Sequence, residues 1–209
     1  MIASFRCQHT RALLESGVPH RDWQSFSRDA RRKLLLRESA RSLHDLKSPP
    51  NNHLEALKHD RMGQPSIRVN AQYRVWFIWR RAMPMMSKSP NSTEPGEPTM
   101  RADMVIHPGE ILREEFLVPH GLSANRLAAA MGVPTNRITA ILNGDRGVTG
   151  ETALLLGRVF ATTPEFWMNL QVRYELDLAT SQVARERLAA AEAFGRTLAA
   201  GSLEDHAAS

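Results

Sequence analysis

Residues Ser123 to Gly144 read SANRLAAAMGVPTNRITAILNG, and this stretch decides the fold of the C-terminal half. Leu127, Met131, Val133, Ile138 and Ile141 recur at helical intervals. Ala128 is small where two helices would cross, and Gly132 stands where the turn between them needs φ > 0. An ordinary helical hairpin shares parts of this pattern. The joint occurrence of a small residue, a glycine four later and two isoleucines three apart favours a helix-turn-helix, an arrangement that reads DNA with its second helix.

Working outward, the pattern on both sides stays helical. A preceding helix is expected from Pro108 to Leu117, with Ile111, Leu112, Phe116 and Leu117 on one side and Pro108 in the first turn, where its missing N–H is not needed. Ser123 is placed to cap the first helix of the motif. Thr149 is placed to cap a further helix with Ala153, Leu154, Leu156 and Val159 facing inward. Thr163 and Pro164 open another, in which Phe166, Trp167, Leu170, Val172 and Tyr174 form a wide apolar surface. An Ala-, Glu- and Arg-rich helix follows to about Ala193, and Ser202 onward is expected to fray.

Upstream, AMPMMSKSPNSTEPGEPT from Ala82 to Thr99 contains four prolines and no hydrophobic period, which makes it a linker. Before it the pattern is mixed. Helical sequence runs from about Arg21 to Leu46; Ser66 to Asn70 and Tyr73 to Trp79 are β-like, with Asn70, Ala71 and Gln72 turning between two antiparallel strands. The expected organisation is two domains, an α+β half and an all-α half: residues 1–81, a linker over 82–103, a helix-turn-helix domain with its C-terminal helix over 104–195, and a flexible tail over 196–209.

The net charge of +5 is unevenly placed. Residues 1 to 82 carry 16 Lys+Arg against 7 Asp+Glu, and the remainder carries 11 against 15. The basic half suits a polyanion such as nucleic acid, and the opposite signs attract the halves to each other. The single cysteine, Cys7, excludes an internal disulfide. No apolar run of about 18 residues and no signal-like start is present, so a cytoplasmic protein without a membrane partner is expected.

HPGEILREEFL at His107 to Leu117, the helix-turn-helix, ILNGDRGVTGETALLLGRVF from Ile141 to Phe160 and TPEFWMNLQ at Thr163 to Gln171 together resemble HigA, an antitoxin family with a Cro-like DNA-binding domain. The resemblance covers about residues 104 to 178. It implies a homodimeric antitoxin that neutralises its toxin and represses their shared operon. The N-terminal half resembles HigB, the RelE-like toxin of the same pair, through SFR at Ser4 to Arg6, LHDL at Leu43 to Leu46 and LEALKHDRMGQPSIRVNAQYRVWF from Leu54 to Phe77. That family cleaves mRNA on the ribosome without a metal, and the resemblance implies no cofactor. The toxin-like and antitoxin-like segments stand in the HigBA gene order, so each identification supports the other.

Metal-free RNA cleavage needs a base for the 2′-OH, a group to stabilise the phosphorane and an acid for the leaving oxygen. The resemblance places Lys58 at the family's Lys, and Arg68 and Arg74 where they could hold phosphate. Glu55 replaces a His that some members carry three residues before that Lys, with His53 nearby. In the other half, Thr135, Asn136 and Thr139 are expected to face base edges, and Arg126, Arg137 and Asn143 to touch phosphates.

Toxins of this type end in a further strand of the form Asp-Ala-x-Asp-Val-x-Ile-x-Asp-Tyr-His, and this chain has the linker there instead. Reading each codon from Ala82 one nucleotide earlier restores much of that strand. Met83 into Pro84 then gives Ala and Met85 into Met86 gives Asp under any synonymous codons. Met86 into Ser87 gives Val if the serine codon is TCN, Ser92 into Thr93 allows His, and Thr93 into Glu94 allows a stop. A single frameshift near Arg80 to Ala82, fusing toxin to antitoxin with Met100 or Met104 as the antitoxin's own start, accounts for this. The chain is therefore expected to be a sequence-specific DNA-binding antitoxin and repressor carrying a toxin segment without its last strand, and not to cleave mRNA. Its expected partners are operator DNA, a second copy, its own toxin half or a free HigB-type toxin, and mRNA or the ribosome for the toxin half. Two other readings stay open: an active ribosome-dependent endoribonuclease inhibited in cis, and a plain repressor with an N-terminal oligomerisation module.

Overall fold

A computed structural model describes residues 7–57, 62–79, 100–183 and 185–207. The N-terminal half starts with α1 (Gln8–Ser16), which Gly17 ends at φ 68°. A 3₁₀ turn (Arg21–Phe26), α2 (Ser27–Ser39) and α3 (Leu43–Lys47) follow, so the helical sequence expected from Arg21 to Leu46 is divided into three pieces. The second break has a local cause. Ala40 is extended, and Ser42 and Asp45 then form a reciprocal capping box that starts α3 afresh.

Three short antiparallel strands follow in the order β1 (Glu55–Ala56), β2 (Pro65–Arg68) and β3 (Arg74–Trp76). β1 is an addition to the two strands expected. The turn lies where the sequence put it, because the Asn70 side chain accepts the Gln72 and Tyr73 N–H groups at 2.9 Å each. Ile67, fully buried, and Val75 pair on the inner face. Beyond β3, the buried Arg37 of α2 lies 4.7 Å from the Phe77 ring centroid and 4.9 Å from that of Trp79, tying this segment to the helix.

The C-terminal half begins with a 3₁₀ turn at Ala102–Met104, then α4 (Pro108–Ile111), a π-helical turn (Leu112–Leu117) and α5 (Val118–His120). The single helix expected from Pro108 to Leu117 is thus wider in its middle. Its large buried apolar residues fall in pairs five apart, Ile111 with Phe116 and Leu112 with Leu117. A five-residue turn puts each pair on one side, which a 3.6-residue period does not.

The remaining helices are α6 (Ala124–Met131), α7 (Thr135–Asn143), α8 (Gly150–Phe160), α9 (Pro164–Gln182) and α10 (Arg185–Ala207). In α8, Ala153 and Leu156 point inward as expected, but Leu154 and Val159 are exposed. The inner stripe follows Thr152, Ala153, Leu156, Gly157 and Phe160, and those two residues fall beside it. In α9, Phe166, Trp167 and Leu170 are buried while Val172 is exposed. Helix α10 continues through Ser202, where fraying was expected, to Ala207.

The helix-and-sheet half followed by a helical half matches the expected layout, yet the two share one continuous core. Leu13, Leu14, Leu34 to Leu36, Leu46 and Ile67 belong to the same buried cluster as Met104, Ile111, Phe116, Phe166, Trp167 and Leu170. The segment entering the C-terminal half lies inside this junction, with Met100, Met104 and Ile106 buried. The Arg101 N–H donates to the Ser16 carbonyl at 3.1 Å.

Candidate nucleic-acid interfaces

The reading helix is built from its turn. The Ser123 Oγ accepts the Arg126 N–H at 3.3 Å to start α6, and Gly132 ends it at φ 64°. Leu127, Ala128 and Met131 of α6 and Ile138 and Ile141 of α7 are buried together. That packing leaves Thr135 and Asn136 exposed at the start of α7 and Asn143 exposed at its end. Pro134 supplies no side-chain cap there. Thr139 is half-buried, and its hydroxyl donates to the Asn136 carbonyl at 3.2 Å. Arg126 is exposed on α6, whereas Arg137 pairs with Glu151 at 3.1 Å.

The C-terminal end of α7 is held by α4 and the π turn. A Cβ added at Gly109 would stand 1.8 Å from the Ile141 carbonyl oxygen, so only glycine permits this approach. Arg113 Nη2 donates to the Leu142 carbonyl at 2.9 Å, covering one of the carbonyls a helix end leaves free. His107 caps α4, its Nδ1 accepting the Gly109 N–H at 2.9 Å, and its ring meets Tyr174 edge-on at 4.6 Å. Burial holds the His107 pKa below its ordinary value, with Glu110 and Asp145 acting against that shift.

On the outer face of the sheet, Glu55 pairs with Ser66 and Arg68 with Arg74 across the ladders. Arg74 donates through Nε to Ser66 Oγ at 3.1 Å and through Nη2 to the His53 carbonyl at 2.6 Å, and it lies 3.4 Å from the Glu55 carboxylate. Arg68 Nε donates to the Asn70 carbonyl at 3.2 Å. Glu55, Arg68 and Arg74 are thereby gathered on one face, a carboxylate beside two guanidinium groups. Lys58 and the segment Ser4 to Arg6 lie outside the described residues. Among the described residues, no three His, Cys, Asp or Glu side chains form a cluster able to hold a metal ion.

The residues that sequence reasoning missed are those of the junction. Arg31 of α2 is fully buried and donates to the carbonyls of Leu13, Leu14 and Met104 and to the Asp177 carboxylate, the last at 2.6 Å. Burial lowers its pKa and Asp177 opposes that shift. Lys33 is bonded to Glu115 and, at 2.9 Å, to Asn52. Arg32 bridges Asp29, Glu110 and Glu115, and Arg28 makes a two-pronged contact with Glu110. Asp45 caps its own helix and also accepts the Thr163 N–H and hydroxyl at 2.7 and 3.1 Å.

The opposite charges of the halves meet on α2, whose cations pair with Glu110, Glu115 and Asp177, while Arg74 is engaged by groups of its own sheet. One signal was available. Glu110 and Glu115 share the five-residue spacing of the buried pairs beside them.

The model of a RelE-like toxin of the type II toxin–antitoxin system HigB matches residues 3–86, and a helix-turn-helix model matches residues 112–167. Virulence-associated protein I of Dichelobacter nodosus is 51% identical over 74 residues, 35% of this chain and 68% of that protein. Antitoxin HigA-1 of Vibrio cholerae is 44% identical over 69 residues, 32% of this chain and 64% of its own length. Toxin HigB-1 of the same organism is 46% identical over 48 residues, 23% of this chain and 50% of its own length.

Proposed function

Since the chain joins a segment of the HigB-like toxin family to one of the helix-turn-helix family that includes HigA antitoxins, we propose that it is a DNA-binding antitoxin and repressor whose toxin segment no longer cleaves RNA. The observation that carries this reading is the exposed start of α7, where Thr135 and Asn136 project from a helix held by the buried Ile138 and Ile141 and, at its C-terminal end, by Gly109 and Arg113. Such a helix enters a major groove, where an Asn pairs bidentately with adenine. A dimer reads two half-sites about one helical turn apart. Operator binding at fixed salt tests this: Asn136→Ala is expected to weaken binding about 5- to 150-fold, the cost of one bidentate base contact. Unchanged affinity would place the reading surface elsewhere.

Support for the inactive toxin segment comes from the sequence after Trp79, where the proline-rich linker stands in place of the family's last strand. We infer a frameshift as its origin. The nucleotide sequence between the codons for Trp79 and Met104 tests that directly, since a one-base restoration must yield the strand and its stop. Arg68 and Arg74 remain as a remnant phosphate-binding pair beside Glu55, so weak RNA binding without turnover is expected of the chain.

A further inference from the structure

We propose that the toxin-docking face of the C-terminal half is filled by α2 and α3 of its own chain, so that the protein neither captures a separate toxin nor releases its own toxin segment. This rests on the toxin–antitoxin reading above and goes beyond it, because that reading leaves the antitoxin half free to act on another chain.

The junction is built as an interior. Arg31 receives acceptors from α1, from the segment entering the C-terminal half and from α9 at once, with no exposed surface of its own. Lys33 and Glu115 are both buried, and Asn52 Oδ1 accepts a further N–H from Lys33. A competitor would have to displace these charges together, leaving each one buried and unpaired on the way. Salt screens exposed pairs far more than such buried ones.

Polar contacts around these charges close the remaining gaps. Asp45 serves α3 and the start of α9 together, Ser48 Oγ donates to the Phe160 carbonyl, and Asn169 donates to the Ser39 carbonyl at 2.9 Å. Arg173 of α9 reaches Glu38 at 3.2 Å and the Leu14 carbonyl at 3.0 Å. The entering segment is itself wedged in place, since a Cβ at Gly17 would fall 2.6 Å from Met104 Cβ. A joining segment of about 20 residues also gives α2 an effective concentration of the order of mM at this face, well above that of a micromolar competitor.

The test uses the full chain with a protease site placed between residues 84 and 97, cut after purification. The two pieces are expected to co-elute in 1 M salt, and a mixture of isotopically heavy and light cut protein is expected to show no mixed pairs by native mass spectrometry over a day. Mixed pairs within minutes, or separation in salt, would overturn the proposal. An Arg31→Met, Lys33→Met variant is expected to exchange at least about 10-fold faster, since it leaves Asp177 and Glu115 with Arg173 and Arg32 alone as cationic partners. Independently of how well that variant folds, Arg28→Cys, Glu110→Cys in a Cys7→Ser background, joined by a short bis-maleimide, is expected to run at the size of one chain on a denaturing gel. A two-chain product would show a swapped arrangement and overturn occupation by the chain's own helix. Operator binding of the cut protein is read separately: its loss without exchange counts against the antitoxin reading alone.

Discussion

Arg31 and Asp177 stand 146 positions apart in the chain and meet at 2.6 Å where neither is open to solvent. The two halves therefore form one cooperative unit, and a single unfolding transition is expected in urea by both fluorescence and circular dichroism. Asp177→Ala leaves the guanidinium buried and uncompensated, with an expected loss of about 3–5 kcal/mol. Two separate transitions in the parent chain would contradict this account.

Gly109→Ala is expected to act on a helix that residue 109 does not belong to. The new methyl group cannot coexist with the Ile141 carbonyl at 1.8 Å, so α4 and the end of α7 must separate. A stability loss of about 1–3 kcal/mol is expected from the overpacking, together with weaker operator binding. Crystallography or operator titration showing α7 unmoved would refute it.

The His107 pKa is depressed in the fold, so its contribution to stability is fully present above the unfolded value and is lost as pH falls through the folded value. Protonation removes the Nδ1 lone pair that accepts the Gly109 N–H. Midpoint temperatures measured from neutral to mildly acidic pH should therefore decline less steeply for His107→Asn, whose amide oxygen still caps but does not titrate. Identical slopes for both proteins would rule out His107 as a source of the acid sensitivity.

Arg126 and Arg137 should differ in their salt signatures. Arg126 is exposed, while the Arg137 charge is met by Glu151 at 3.1 Å. Arg126→Ala is expected to reduce the slope of log K against log salt by about 1, the amount for one phosphate contact. Arg137→Ala is expected to leave that slope unchanged, and an equal drop in both would mean that Glu151 releases its partner on DNA.

In a translation-dependent assay the intact chain is expected not to cleave mRNA, whereas the toxin with its frame restored is expected to do so. The family's terminal Tyr and His supply proton transfer and positioning, and a single acid–base group contributes typically 10²–10⁴-fold. Similar cleavage by both proteins would show that the last strand is dispensable and would overturn the reading of an inactive toxin segment.

Features set by neighbouring residues were legible in the sequence. The Gly132 turn, the Ser123 and Thr149 caps and the Asn70 turn each depend on residues within a few positions and stand where they were expected. The π turn was written in the sequence too, as the repeated spacing of five in Glu110 and Glu115, Ile111 and Phe116, and Leu112 and Leu117, but a reading tuned to 3.6 passes over it. The burial of Arg31 and Lys33 was illegible for a different reason. RRK at Arg31 to Lys33 looks like a solvated face until the carboxylates of Glu115 and Asp177, far along the chain, are in position. On the sheet, the register that aligns Arg68 with Arg74 depends on strand pairing, which composition alone does not specify.

The first amides of a helix ordinarily exchange their hydrogens with water quickly, since no carbonyl of the helix reaches them. The Thr163 amide, just before α9, points into the Asp45 carboxylate of another helix instead. Its deuterium uptake is therefore a clock for events elsewhere: it can label only when α3 lifts away, so the lifetime of that one hydrogen reports how often the two halves part company inside a chain that holds them together.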